Sequence, residues 1–189
     1  MSMLTEPLPD YVMVRDEKCR VNTDFKIWLK FTAIAFEKFT NAQKAFEIIT
    51  LIYERIPSNL IEGLKAALKF YNLNRVTFES TEGKSSPVQA YDFEHDANSI
   101  YAAFRQQYGI NLLTENLHWW EFRALLDNLT EDTAFIKTVQ YRNMDLSEIK
   151  SDDLRRHYAK MKLRCRLPEK RTEEEIEDDF NRQFSGMFV

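Results

Sequence analysis

Glycine and proline are scarce in this chain, at 4 and 5 of 189 residues. Turn-dense β-sandwiches and phosphate-cradling α/β folds depend on those residues, so both are disfavoured, and helices joined by short connections are favoured. Cysteine is rarer still. Cys19 and Cys165 lie far apart and form no metal-ligand spacing, and a reducing compartment keeps such residues as thiols. No apolar run approaches bilayer length, and the start, MSMLTEPLPDYV, has neither a charged n-region nor an apolar h-region. The chain therefore reads as cytosolic, with no membrane segment. Neither sign of charge dominates: 26 basic residues stand against 30 acidic ones, a net charge of -4 with a pI near 5.5. That balance argues against nucleic acid as the general partner. G-x-S-x-G, P-loop and G-x-G-x-x-G motifs are all missing, as are internal repeats and low-complexity tracts.

Aromatic residues are abundant: 14 Phe, 8 Tyr and 3 Trp, within 44% hydrophobic residues overall. A chain of this size buries roughly 70% of its unfolded surface, and this one has the material for such a core. Tyr11 to Val21 holds two short β-prone runs around RDEK and predicts a hairpin. Thr23 or Asp24 then caps a helix through FKIWLKFTAIAFEKF, with Ile27, Phe31, Ile34 and Ala35 on one face and Trp28 and Phe39 widening it. After Asn41 a second helix places Phe46, Ile49, Tyr53 and Ile56 together, up to the break at Pro57. A third aligns Leu60, Leu64, Ala67, Leu68 and Tyr71. Residues 74–90 are polar and aperiodic, a loop of unusual length. A helix from Asp92 stacks Phe93, Ala97, Ile100, Phe104 and Tyr108, with Gly109 just past its end. Asn116 or Thr114 caps the next helix, Thr130 or Asp132 the one after, and Ser151 the last, which Pro168 ends. The charged segment EKRTEEEIEDDFNRQFSGMFV stands apart. The expected architecture is all-α: a bundle-like helical domain over 1–168 with six or seven helices, an N-terminal hairpin at 11–21, and a charged helical arm at 169–189.

LHWWEFRALLDNL poses a question. Adjacent residues on a helix point about 100° apart, so Trp119 and Trp120 cannot both sit at the centre of one apolar stripe. Phe122, Leu126 and Leu129 share the face of Trp119, whereas Trp120 lies nearer Ala124 and Leu117. Either the helix is buried nearly all round, or Trp120 occupies a partly open groove and meets a partner.

The order YDFEHDANSIYAAFRQQYGINL, then LHWWEFRALLDNLTEDTAFIKTVQYR, then HYAKMKLRCRLP resembles the bacteriophage Gp-fifteen family, and VNTDFKIWLKF fits its short hairpin running into an aspartate-started helix. The likeness runs from about Tyr11 to Pro168. It implies a phage protein of the host bacterial cytoplasm serving tail assembly. Such a protein would act as a non-enzymatic chaperone whose partners are the tape-measure protein or the major tail protein.

Chemistry-bearing residues are few. His95 lies near Asp92 and Asp96, and His118 near Glu121, but neither pair has H-E-x-x-H spacing. Asp92, Glu94 and Asp96 suit a helix N-terminus, where negative charge is favoured. No catalytic, cofactor or metal residue is expected; a hydrolase would need a pocket gathering His95 or His118 with carboxylates. The candidate surface is basic: Arg155, Arg156, Lys160, Lys162, Arg164 and Arg166 follow one another on the last helix without an intervening acid. This is either a solvated face or a docking surface for an acidic partner, and a DNA-associated accessory factor using 152–166 is the alternative function. In the arm, Ile176, Phe180, Phe184 and Phe188 recur every four residues beside six acids, the pattern of a segment seeking a groove on its own domain, a second copy or another protein. The candidate partner-binding residues are thus Trp120, Arg155, Arg156, Lys160, Lys162, Arg164, Phe180 and Phe184.

Overall fold

The computed structural model describes residues 4–35, 42–74 and 90–168. The hairpin forms where expected. Strands β1 (Tyr11–Val14) and β2 (Glu17–Arg20) pair antiparallel from Tyr11 opposite Arg20 to Val14 opposite Glu17. Arg15 takes a φ of 54° to make the two-residue turn. Alternation buries Val12, Val14 and Cys19 on one face.

Among the described residues there are seven α-helices: α1 (Phe25–Ala35), α2 (Ala42–Ile52), α3 (Leu60–Tyr71), α4 (Ala97–Tyr108), α5 (Trp119–Asp127), α6 (Ala134–Asn143) and α7 (Asp152–Arg164). A 3₁₀ turn at Leu146–Glu148 leads into α7. Helix α1 packs on α2 and α5, α2 on α3, α3 on β1, α4 on α5 and α6, and α6 on α7. Short main-chain bridges lock the entry points. Asn22 N–H donates to Ile52 O at 2.7 Å, Phe25 N–H to Leu117 O at 3.0 Å, and Trp119 N–H to Thr23 O at 2.7 Å. The starts of α1 and α5 are therefore held side by side.

The periodic faces come out rotated in three helices. In α1 the buried residues are Phe25, Trp28 and Phe31, so Trp28 is the centre of the stripe rather than its flank. In α2 they are Ile48, Ile49 and Ile52, while Phe46 and Ile56 are about half exposed, at 51% and 52%. The helix stops at Ile52, and Tyr53 turns off to bridge Val21, so a 3.6-residue period carried through to Ile56 has no helix to act on. In α3 the buried face is Gly63, Ala67, Phe70 and Tyr71, and Leu60 and Leu68 are exposed. Gly63 explains that rotation. A Cβ there would come within 3.1 Å of Pro57 Cγ and 3.2 Å of Ile49 Cδ1, so the small residue lets α2 and the preceding loop approach.

Caps also differ from the sequence reading. Thr133, not Thr130 or Asp132, caps α6, and its side chain accepts from Ile136 N–H. His118, not Asn116 or Thr114, caps α5. Helix α4 begins at Ala97 rather than Asp92, because residues 93–96 form a turn. Ser151 caps α7 and Gly109 closes α4 with a left-handed φ of 72°, both as expected. Phe39, Asn41, residues 75–89 of the polar loop and the whole 169–189 arm lie outside the described residues.

Candidate interaction surface

The tryptophan pair is answered by the end of another helix. The last carbonyls of any α-helix have no partner within it. At the C-terminus of α3 two successive ones, Phe70 O and Tyr71 O, accept from the indole N–H groups of Trp120 and Trp119, each at 2.9 Å. Two adjacent residues pointing in different directions suit two adjacent carbonyls on a helix end. Trp119 stacks on Tyr71, with ring centroids 5.1 Å apart, and also on Trp28 and Phe122. Trp120 lies against Phe70 at 5.4 Å. Trp28, stacked on Phe70 at 4.8 Å, satisfies its own N–H on Asn22 O. Trp119 is fully buried and Trp120 is 4% exposed. The partly open groove around Trp120 is therefore not there, because its own chain covers the ring; nor is α5 buried all round, since Glu121 and Asp127 are exposed and Arg123, Ala124 and Leu125 half-buried.

His118 sets the start of that helix. Its Nδ1 accepts from Trp120 N–H at 3.0 Å, which assigns the proton to Nε2, 3.0 Å from Pro9 O. Burial pushes the imidazole below the ordinary histidine value of 6.5, against the raising effects of the Pro9 carbonyl, Glu121 and Asp10. A lowered folded value means that the contribution of the cap is complete above 6.5 and is lost as pH falls through the folded value. The wild-type urea midpoint should therefore drop on acidification below 6.5 by more than that of His118→Asn, which keeps a capping acceptor without titrating. Parallel curves for the two proteins would remove His118 from the acid response. His95 and His157 are exposed. Among the described residues no group of three or more His, Cys, Asp or Glu is placed to hold a metal ion, and no helix is long and apolar enough to cross a membrane.

Asp96 has a larger task than complementing a helix dipole. It forms a buried bidentate pair with Arg142 of α6, Nη1 to Oδ2 at 2.6 Å and Nη2 to Oδ1 at 2.8 Å. Arg142 also donates to Ala90 O at 3.2 Å, and through Nε to Cys165 O just past α7. One guanidinium thus ties Ala90, the start of α4, α6 and the end of α7. Burial pushes the Asp96 carboxyl up, but the Arg142 hydrogen bonds, the Asp92 backbone N–H and the Arg142 charge together hold it below the ordinary carboxylate range. Sequence reasoning missed this pair. The signal was a charge at a stripe position in each helix: Asp96 four residues before Ile100, and Arg142 seven after Phe135.

Helix α7 has no buried residue. Its inner side rests on half-buried Tyr158, Ala159, Met161 and Cys165, and Tyr158 meets Tyr141 of α6. Lys162 belongs to this attachment rather than to an outer basic face, because its Nζ donates to Met144 O at 2.7 Å. Arg155 folds back on Ile149 O at 2.7 Å and on Asp152 at 2.8 Å, and Arg156 pairs with Asp153 at 2.7 Å. At helical spacing Arg156, Lys160, Leu163 and Arg164 share the outer face, and Leu163 is 70% exposed. For Lys160 and Arg164 there is no hydrogen bond or ion pair among the described residues. Reversing either charge should therefore leave folding stability within about 0.5 kcal/mol, measured by urea unfolding, as at other unengaged surface positions. A loss of several times that would mean the face is structural. Phe180 and Phe184 lie outside the described residues.

What the geometry defines is a helical protein knit around an indole-capped aromatic core, with a cationic last helix presented on its surface. A family model described as Bacteriophage Gp15 protein matches residues 4–167, and the chain belongs to that family. The family is not a known enzyme family. No curated protein and no solved structure matches the chain significantly.

Proposed function

We propose that this chain is a non-enzymatic phage tail assembly protein, a chaperone for the tape-measure protein or the major tail protein, acting in the host bacterial cytoplasm. The observation that supports the reading is the family match across 4–167 taken with α7, the α-helix that, among the described residues, contributes no buried residue to the core. A helix of 13 residues held by carbonyl hydrogen bonds and half-buried contacts, with Arg156, Lys160, Leu163 and Arg164 outward, offers contact area that folding does not consume. Long-range attraction to an acidic partner raises the encounter rate, and Leu163 supplies apolar contact once the partner has arrived. Trp120 drops out of the binding set because its ring is spent on Phe70.

The DNA-associated alternative draws on the same face, and the chain's overall acidic balance, a net charge of -4, counts against it. Recovery of the tagged chain from induced lysogens, with co-purified proteins identified by mass, tests the reading. The tape-measure or major tail protein should be the enriched partner. Enrichment of neither, together with duplex binding that weakens steeply with salt, would favour the DNA reading instead.

A further inference from the structure

We propose that the outer face of α7 is the docking surface for the chain's own C-terminal segment, residues 169–189. The segment follows α7 after the four residues 165–168 and lies outside the described residues. It holds seven acids and three bases, a formal charge of -4. Residues 151–168, α7 with its flanks, hold six bases and two acids, a formal charge of +4. The two stretches are adjacent in sequence, opposite in sign and equal in magnitude.

The distribution within each stretch fits as well. Six acids crowd into 173–179, near the helix end in sequence, and Lys160 and Arg164, which make no hydrogen bond or ion pair among the described residues, stand on the last two turns of α7. Ile176, Phe180 and Phe184 recur among and beyond the acids. They find an apolar counterpart in Leu163, exposed at 70%, and in the aliphatic stems of Arg156, Lys160 and Arg164. An aromatic ring over a lysine or arginine head adds a cation–π attraction that a simple acidic tail would forgo. The reach is sufficient: the 13 residues of α7 span about 20 Å, and 21 residues span about 30 Å as a helix and more when extended.

The same surface on a second copy offers the same chemistry, but tethering decides between them. A segment joined to its site by a few residues experiences an effective concentration of about a millimolar, far above the free protein concentration in dilute solution. The consequence is a self-covered cationic face, so that any acidic partner using α7 must first displace the segment. This inference does not depend on the tail-assembly reading.

Zero-length carbodiimide coupling of the full chain tests it, because the reagent joins the Lys160 amine only to a carboxylate in contact. The sample is an equal mixture of ¹⁵N-labelled and unlabelled chains, together with a Phe180→Ser/Phe184→Ser variant that keeps every charge. Docking predicts links from Lys160 to acids in 173–179 within one isotopic species, reduced at least tenfold in the double variant. Undiminished links in the variant mean tether proximity alone and overturn the proposal. Links only between isotopic species assign the surface to a second copy and overturn it too, as does the absence of any link.

Discussion

Trp119→Ala is expected to lower folding stability by about 3–5 kcal/mol, the range for truncating a fully buried aromatic, and Trp120→Ala by a similar amount. Trp119 stacks on Trp28, Tyr71 and Phe122, and its removal opens a void at the junction of α1, α3 and α5. It also strips the Tyr71 carbonyl of the 2.9 Å indole bond. Trp120 is nearly as buried at 4%, and its loss removes both the ring packed on Phe70 and the second indole cap. Losing an indole bond adds to the cost of the void, although Phe70 O keeps the Leu73 N–H at 2.9 Å. Urea unfolding of both variants checks this. A Trp120→Ala loss below about 1 kcal/mol would show that the ring is not packed as described.

Arg142→Leu should cost about 3–5 kcal/mol, since it leaves Asp96 buried and ionised without its partner. The double variant Asp96→Asn/Arg142→Leu should recover part of that loss, because most of the penalty is the stranded charge rather than the pair itself. The pair also carries a pH signature. Asp96 is held below the ordinary value of 3.8, so its contribution is present in full above that value and is lost as pH falls through the folded one. Because Arg142 also holds the Cys165 carbonyl, its loss should increase amide exchange at the end of α7 before the rest of the fold opens. Uniform exchange across all helices would argue against a local latch.

Helices, hairpin and the order of elements were legible because each rests on local signals: scarce glycine, alternation at 11–20, the Ser151 cap, and Gly109 at a left-handed closure. What the local pattern could not supply was the rotation of each helix. Leu60 and Leu68 are as apolar as any core residue, yet α3 turns them outward because Gly63 permits close approach and Phe70 and Tyr71 face the tryptophans. Periodicity gives a stripe's spacing; which of two overlapping stripes is buried depends on a partner far along the chain. Trp120 misled for the same reason. Its acceptor, Phe70 O, is 50 residues away and invisible to any window around LHWW. His118 escaped notice as a cap because histidine caps only when its tautomer is fixed, and the residue fixing it is Pro9, 109 positions upstream. The basic run on α7 was legible as sequence, but only the structure separates Lys162, spent on Met144, from Lys160 and Arg164.

The proposed role requires that the outer face of α7 bind a tail protein. The most direct measurement is a calorimetric titration of the purified chain with the purified tape-measure protein from the same phage, using wild type and a Lys160→Glu/Arg164→Glu double variant of unchanged stability. Specific binding by wild type, weakened at least tenfold in the double variant, is the predicted result. Equal affinity for the two proteins would remove α7 from the interface, and the absence of binding to both the tape-measure protein and the major tail protein would contradict the account.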